Sequence, residues 1–475
     1  MNPKLRTSLL IIGAFTLLVI AILLAPRALG LYYQVKGGQL LQDVVTNLED
    51  KPELGLSCDA VPPEKKAIRM KLDQAVSKLD QAIRYDKRNS QAYLYLGHSA
   101  CLAGAPDKAK GYYLTYTHLR PANPLGHLGL GFANEALGDH KSAVKEWKAA
   151  GLTAEDFLEA GDEAFQAKRY EQALSWYERS SRIAPEQATT WFSLGQVYEQ
   201  LGQSESALDA YRKAWKYDPE LSATFLATSL KRLGIYKEME DVLRKALEAA
   251  PGSEGRLGWW RALGDALRLQ EQWDRAVGVY QEAIKEFPDT PDLHIYLGWI
   301  LYERGDGARA AQTEFERAID LDKEAAEGYF AMGQLLFREK QYQRADNYFL
   351  QALERAPNNR WYYLAHGDNA RLAGDLTGAQ EIYEQASTRF PDFDNAYYQL
   401  AMIYRSLNKP DEAVRAIERA VELMDPPLDS YYARAGEIYR WAGLREQAVK
   451  AYRQALVLNP DNLISQKGLQ LLGEK

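Results

Sequence analysis

Residues 191–198 read Trp-Phe-Ser-Leu-Gly-Gln-Val-Tyr, and Gly202, Ala207, Tyr211, Ala214 and Pro219 follow at set intervals. Apolar residues at three- and four-residue spacing on both sides of Gly202 predict two amphipathic helices joined by a tight turn. Gly195 and Ala207 are small where one helix must approach the other. Ala214 leaves room for the next pair, and Pro219 stops the second helix because it cannot donate the next backbone hydrogen bond. Such a pair cannot bury its apolar face alone; it needs neighbours.

The rest of the chain supplies them. The glycine slot of the opening stretch recurs at Gly97, Gly131, Gly161, Gly195, Gly264, Gly298, Gly333, Gly367 and Gly436, with Ala227 and Ala401 filling two further turns of the pattern. Most steps are 34 or 35 residues. Twelve or thirteen residues after each slot stands an alanine, from Ala109 and Ala143 to Ala413 and Ala448, with Met239 the exception. Prolines such as Pro121, Pro185, Pro251, Pro357 and Pro460 close the second helices, so eleven repeats are legible. Leu463–Leu472 reads as a solvating terminal helix of the kind a repeat stack requires.

The spacing W-x2-L-G-x2-Y, followed by Ala, an aromatic, Ala and Pro, resembles the tetratricopeptide repeat, over about four-fifths of the chain. The resemblance implies an all-α, right-handed superhelical solenoid of helix-turn-helix repeats, in which the first helix of each pair lines a concave face. A second resemblance is to membrane-anchored bacterial repeat proteins of cell-envelope assembly. Some of those carry a four-cysteine metal site at the C-terminus; here no cysteine follows Cys101.

Thr7 to Pro26 carries no charge over 20 residues and is bounded by Lys4, Arg6 and Arg27. A helix of that length rises about 30 Å, enough to cross a hydrocarbon core. With no small-x-small cleavage pattern before Arg27, an uncleaved signal anchor is expected. The excess of positive charge on the short N-terminal side predicts a single-pass bacterial inner-membrane protein with the repeats outside the cytoplasm. Residues 1–6 then form a tail, 7–26 the transmembrane helix, and 27–63 a juxtamembrane helix interrupted at Gly37-Gly38 plus a linker. The repeat arrays occupy 64–253 and 254–475, with Pro251–Gly258 as the joint between them, and the helix from Glu64 to Tyr85 reads as a half repeat without a partner before it. Cys58 and Cys101 are either a disulfide or two buried thiols.

The net charge of −7 argues against a nucleic-acid partner, which needs a basic face. Nothing in the chain supplies a catalytic constellation: H-E-x-x-H, G-x-S-x-G and a phosphate loop are all absent, and the three glycines of 251–258 have no Lys-Ser/Thr after them. His127 and His294 fall in the slot of Trp191, where packing explains them. No enzymatic activity, cofactor or metal is expected.

A binding surface is. Counted from the glycine slot, the positions expected to face the groove beyond the joint include Asp265 and Gln334, and those expected to carry binding are Arg261, Arg268, Tyr296, Trp299, Tyr302, Phe330, Phe337, Arg338, Arg371, Tyr398, Arg405, Arg434 and Arg440. Aromatic residues and Arg carry much of the energy at protein interfaces. The Arg residues would suit a peptide with acidic side chains or a free carboxylate, because guanidinium pairs with carboxylate in a fork. Trp299, Tyr302, Phe330 and Phe337 come from adjacent repeats and should form one patch. The expected function is a membrane-anchored scaffold that holds an extended peptide or helix of a partner protein. A second reading makes the chain a regulatory accessory subunit of a membrane enzyme of cell-envelope glycan or lipid assembly, acting through the anchor and residues 28–63.

Overall fold

The computed structural model describes the backbone of residues 3–46, 58 and 65–474, with side chains from residue 25 onward. Every described element is an α-helix, and the chain divides into two compact units, Met1–Ser229 and Leu230–Lys475.

The first unit contains α1 (Pro3–Thr46), α2 (Lys66–Tyr85), α3 (Ser90–Leu102), α4 (Pro106–Leu119), α5 (Pro124–Ala136), α6 (His140–Ala149), α7 (Ala154–Gln166), α8 (Tyr170–Ile183), α9 (Ala188–Gln200) and α10 (Ser204–Tyr217). The division falls inside α11 (Pro219–Arg232). The second unit continues with α12 (Tyr236–Ala249), α13 (Arg256–Leu269), α14 (Trp273–Glu286), α15 (Pro291–Arg304), α16 (Ala308–Leu321), α17 (Ala326–Arg338) and α18 (Tyr342–Arg355). It closes with α19 (Arg360–Leu372), α20 (Leu376–Arg389), α21 (Asp394–Ser406), α22 (Pro410–Leu423), α23 (Asp429–Trp441), α24 (Arg445–Leu458) and α25 (Leu463–Leu471). From α3 onward these are the helix pairs that the glycine spacing predicts; of the expected joint, residues 251–255 form the turn into α13 and 256–258 its first residues.

One contact repeats through both units. The glycine of each first helix faces the aromatic residue sixteen or seventeen positions later on the second helix. A Cβ at Gly97 would lie 2.5 Å from the Tyr113 ring, one at Gly298 2.5 Å from Phe315, and one at Gly436 2.5 Å from Tyr452. Those rings are buried, as are Trp147, Tyr177, Tyr211 and Tyr383 in the same role. Full burial of such a side chain stabilises the fold by about 1.5–3 kcal/mol. Where the second unit has alanine in the slot, at Ala401, the residue opposite is the smaller Ile417, and both are fully buried in one core. The extra methyl on one helix is offset by the missing ring on the other.

The turns between paired helices need a left-handed residue. Gly202 supplies it with φ +72°, and Lys168, Glu271, Lys340 and Asn408 are forced into the same region at φ 55–60° in other turns.

The N-terminal end departs from the sequence-based expectation. α1 is uninterrupted at Gly37-Gly38, and Pro26 lies within it. These glycines permit close approach rather than a break: Gly37 packs on Leu79, with a Cβ there only 2.7 Å from its Cγ, and Gly38 packs on the Tyr95 ring. Leu41 and Val44 are buried with Leu72 and Ala75. The second half of α1 is therefore the partner that α2 lacked, and together they form a twelfth hairpin. The expected linker lies outside the described residues except for Cys58, which is disulfide-bonded to Cys101. Closing a loop across a sequence separation of 43 residues contributes roughly 4 kcal/mol by restricting the unfolded chain.

Among the described residues no helix is long and apolar enough to cross a membrane. The side chains of residues 7–24, most of the expected span, lie outside the described set. The terminal helix α25 buries Leu469 but leaves Leu463 and Leu471 exposed, so it covers the last hairpin with one face and solvates only partly.

The glycine–aromatic rule predicts a coupled pair. Ile417→Tyr alone should overpack its hairpin and cost about 1–3 kcal/mol. Adding Ala401→Gly should restore most of that loss, giving a favourable coupling energy in a double-mutant cycle read by urea unfolding; additive effects would contradict the rule.

Candidate peptide-binding groove

The first helices of the second unit set their groove residues by register from the slot residue. Arg261 precedes Gly264 by three positions, Trp299 follows Gly298 by one, and Arg338 follows Gly333 by five. The fold brings Arg261, Arg268, Tyr296, Trp299 and Arg338 around one cavity of about 540 Å³, together with Lys231, Asp265, Tyr280, Glu303 and Gln334. Three of these, Lys231, Tyr280 and Glu303, are absent from the sequence-based groove. Register would have found two: Lys231 stands four residues after Ala227, as Arg268 does after Gly264, and Glu303 stands five after Gly298, as Arg338 does after Gly333.

Four cations meet two carboxylates in this cavity. Arg268 pairs with Asp265 at 2.8 Å and approaches Glu303 at 3.9 Å, and Lys231 binds the other oxygen of Asp265. Burial alone would raise the Asp265 carboxyl, but the hydrogen bonds from Lys231 and Arg268 outweigh it and hold the group below the usual carboxylate range. Arg261 lies over the Tyr296 ring, 4.9 Å from its centre, bonds its hydroxyl and stands 3.8 Å from Asp292. Tyr296 stacks on Tyr280 with ring centres 5.8 Å apart. Arg338 is exposed, its guanidinium 4.8 Å from the Trp299 ring centre, and among the described residues it pairs with no carboxylate.

The other expected groove residues lie outside that cavity. Trp299, Tyr302, Phe330 and Phe337 do share one layer, all half-buried against the core of Phe315, Met332, Leu335, Leu336 and Phe349. Phe330 stacks on Tyr362 at 4.2 Å, and the Tyr302 hydroxyl donates to Glu339 at 2.9 Å. Tyr398 packs on Tyr431 at 4.7 Å. The remaining Arg residues are occupied within the chain: Arg371 by Asp368 at 2.9 Å, Arg434 by Glu437 at 2.5 Å and Arg405 by Glu437 at 3.8 Å, while Arg440 lies against the Tyr452 hydroxyl. His127 and His294 pair with Glu146 at 2.7 Å and Glu314 at 2.8 Å on their second helices.

The α3–α4 hairpin of the first unit presents its corresponding positions differently. Cys101 stands four residues after Gly97, the register of Arg268, and shares a core with Leu94, while Phe132 belongs to a second core. Cys58 is half-buried against the cores of which these residues are part. His98, one position after the glycine, lies between the Tyr95 and Tyr113 rings, and its Nε2 finds no hydrogen-bond partner among the described residues. Burial lowers its pKa from 6.5 to about 4.

Paired antiparallel helices stacked in series, with a polar and aromatic face along the first helices, define a helical-hairpin repeat protein. Models described as tetratricopeptide repeat match residues 71–124, 157–217, 261–326, 326–359, 370–435 and 429–462, together more than half of the chain. The chain belongs to the tetratricopeptide-repeat family and is a scaffold for protein–protein interaction.

Among its relatives, Tetratricopeptide repeat protein 37 of Xenopus laevis is 27% identical over 279 residues, 53% of this chain and 18% of that protein. The human protein O-mannosyl-transferase TMTC1 is 25% identical over 224 residues, 46% of this chain and 24% of that protein. The chain thus spans less than a third of either. Similar solved structures include yeast Tom70, at 15% identity and TM-score 0.45 over 92% of this chain and 98% of that one. Another is YrrB, a TPR protein with an unusual peptide-binding site, at 21% identity and TM-score 0.34 over 40% of this chain and 97% of that one.

His98 gives the first unit a pH dependence with a definite sign. Above pH 6.5 the ring is neutral in folded and unfolded chains alike. As pH falls from 6.5 towards 4, the unfolded chain takes up a proton that the folded chain does not, so stability is lost across that window, up to roughly 3 kcal/mol. His98→Phe should flatten this part of the stability–pH profile measured by urea unfolding; an unchanged slope would exclude His98 as its source.

Proposed function

We propose that this protein acts as a binding scaffold rather than an enzyme, and that the groove of its second unit holds an extended, acidic peptide segment of a partner protein. The observation that carries this reading is the Arg261–Arg338 cavity, where four cations exceed two carboxylates over a floor of Tyr280, Tyr296 and Trp299. Arg338 is the group with capacity to spare. Its guanidinium lies over the Trp299 ring and has no acidic partner among the described residues, so a carboxylate arriving from outside gains a fork of hydrogen bonds without breaking one. Arg268 and Arg371 contribute less to recognition than their residue type suggests, because Asp265 and Asp368 already occupy them. The half-buried layer of Trp299, Tyr302, Phe330 and Phe337 extends the contact with apolar side chains of the same peptide.

The scaffold is held at a bacterial inner membrane by residues 7–26, with the repeats outside the cytoplasm. The uncharged 20-residue run supports the anchor. The Cys58–Cys101 disulfide supports the compartment, since such bonds persist where the environment is oxidising.

Peptides selected from a random library against the full chain should be enriched in Asp and Glu next to an apolar residue. Arg338→Glu should weaken the selected peptide roughly ten-fold or more, read by fluorescence anisotropy. Arg419→Glu, on α22 and paired with Glu422, serves as the control and should leave affinity unchanged. Equal affinity in Arg338→Glu would remove the groove from the account.

A further inference from the structure

The chain as a whole carries net charge −7, yet residues 65–88 hold eight basic side chains against three acidic ones. This stretch is α2 and the turn after it, packed along the second half of α1. Because α1 is continuous, the position of that turn relative to the apolar run can be counted. Gly30 packs directly on Asp86, with a Cβ there 3.1 Å from the Asp86 Cβ. Gly30 lies four residues beyond Pro26, a rise of about 6 Å along the helix. The turn from Arg84 to Arg88 therefore sits one helical turn past the end of the uncharged segment.

The side chains at that level form a distinct set. Leu31 and Tyr32 are more than half exposed on α1, at 57% and 55%, and Tyr85 is 45% exposed on α2. Tyr33 stacks on Tyr85 with ring centres 5.7 Å apart and meets Tyr32 edge-on at 5.2 Å. Around these rings stand Arg27, Arg84, Lys87 and Arg88, all exposed. Lys87 and Arg88 pair with no carboxylate among the described residues; the Asp86 carboxylate instead accepts from the Arg88 backbone amide at 2.9 Å. Exposed tyrosines and a leucine beside Lys87 and Arg88, which are unpaired among the described residues, suit a boundary between hydrocarbon and water better than bulk water. The headgroup layer of a bilayer leaflet is about 5–7 Å deep, matching the rise from Pro26 to Gly30.

We infer that the end of the α1–α2 hairpin, formed by Leu31, Tyr32, Tyr85, Arg84, Lys87 and Arg88, is a docking surface for the headgroups of an anionic phospholipid leaflet. This rests in part on the anchor proposed above: insertion of residues 7–26 delivers the hairpin to headgroup depth. The rings then sit among glycerol and ester groups while the cations meet lipid phosphates. Docking would fix the first repeat at the bilayer rather than leaving it on a free tether.

The test uses the full chain carrying Gln81→Cys, one turn before Tyr85, labelled with a bimane fluorophore; Cys58 and Cys101 are bonded to each other and do not react. The protein is reconstituted into phosphatidylcholine vesicles bearing a headgroup nitroxide quencher, with and without phosphatidylglycerol. Quenching should be stronger in the anionic vesicles and should fall by roughly half or more in the Lys87→Glu/Arg88→Glu variant or in high salt. Equal quenching in both vesicle types, or no change on charge reversal in a variant with unaltered circular dichroism, overturns the inference. So does crosslinking of the labelled position to a second copy, which would assign the patch to self-association. Alkaline carbonate extraction separates the two readings. Release from vesicles refutes the anchor, while quenching that still depends on phosphatidylglycerol beforehand supports the docking surface.

Discussion

Everything else in this protein depends on how closely two helices of a hairpin can approach, and that distance is set by a hydrogen atom facing a ring. With glycine in the slot, the aromatic side chain of the second helix lies flat on the backbone of the first, as Tyr113 does on Gly97. Interiors are packed to crystal-like density, so a ring and a methyl cannot share that space without a shift. The exception at Ala401 supports the same constraint, since its partner Ile417 is smaller. What is preserved from hairpin to hairpin is the summed volume of the pair, not the identity of either residue.

This packing reaches the groove through the tyrosine hydroxyl. When the residue opposite the slot is tyrosine, its ring passes beneath the first helix and its oxygen emerges near the groove face. In three of the six such hairpins it donates to a carboxylate, Tyr177 to Asp162 at 2.7 Å, Tyr211 to Glu199 at 3.1 Å and Tyr383 to Asp368 at 3.0 Å, while Tyr280 donates to the Arg261 backbone carbonyl at 3.4 Å and Tyr113 lies 3.9 Å from the Cys101 Sγ. Asp368 also holds Arg371, so one carboxylate satisfies a core hydroxyl and positions a surface guanidinium. Asp162, Glu199 and Asp368 thus serve the core first. Where the core residue is phenylalanine, as at Phe315 and Phe349, no hydroxyl needs an acceptor, and the groove above is aromatic and lacks a recurring Asp. That alternation explains why the apolar layer of Trp299, Tyr302, Phe330 and Phe337 lies where it does, with acid–arginine pairs on either side.

Most of the fold was legible because a period of 34 residues leaves the small residues in register regardless of what surrounds them. Eleven hairpins followed from spacing alone. The first did not, for a reason of distance: in the other hairpins the glycine and alanine slots stand twelve or thirteen residues apart, whereas Gly37 and Ala75 are separated by the whole segment between α1 and α2. Two adjacent glycines in an otherwise apolar run read as a break when their use as contact surfaces is hidden by that gap. The groove was half legible. Register located Arg261, Trp299 and Arg338 but says nothing about charge pairing, because a residue on the polar face of a helix looks the same whether it is free or held by a neighbour three positions away. Arg268, Arg371 and Arg434 are held in that way, and Arg338 is not.

One hairpin, α3–α4, uses the groove register to a different end from the second unit. In the second unit the position four residues after the slot carries a long polar or aromatic side chain, from Arg268 to Arg440. In the first repeat of the first unit that position is Cys101, fully buried and tied to Cys58. A thiol there offers no charge and almost no reach, but it can form a covalent bond to the segment that leads from α1 to α2. The bond offsets a cost peculiar to the preceding α1–α2 hairpin, since a long connection between its helices raises the entropy lost on closing it. In the other hairpins a short turn performs that service, and the groove position is left to carry a side chain for recognition. The α3–α4 repeat uses its groove position to hold the α1–α2 connection; the later ones are free to present theirs to a partner.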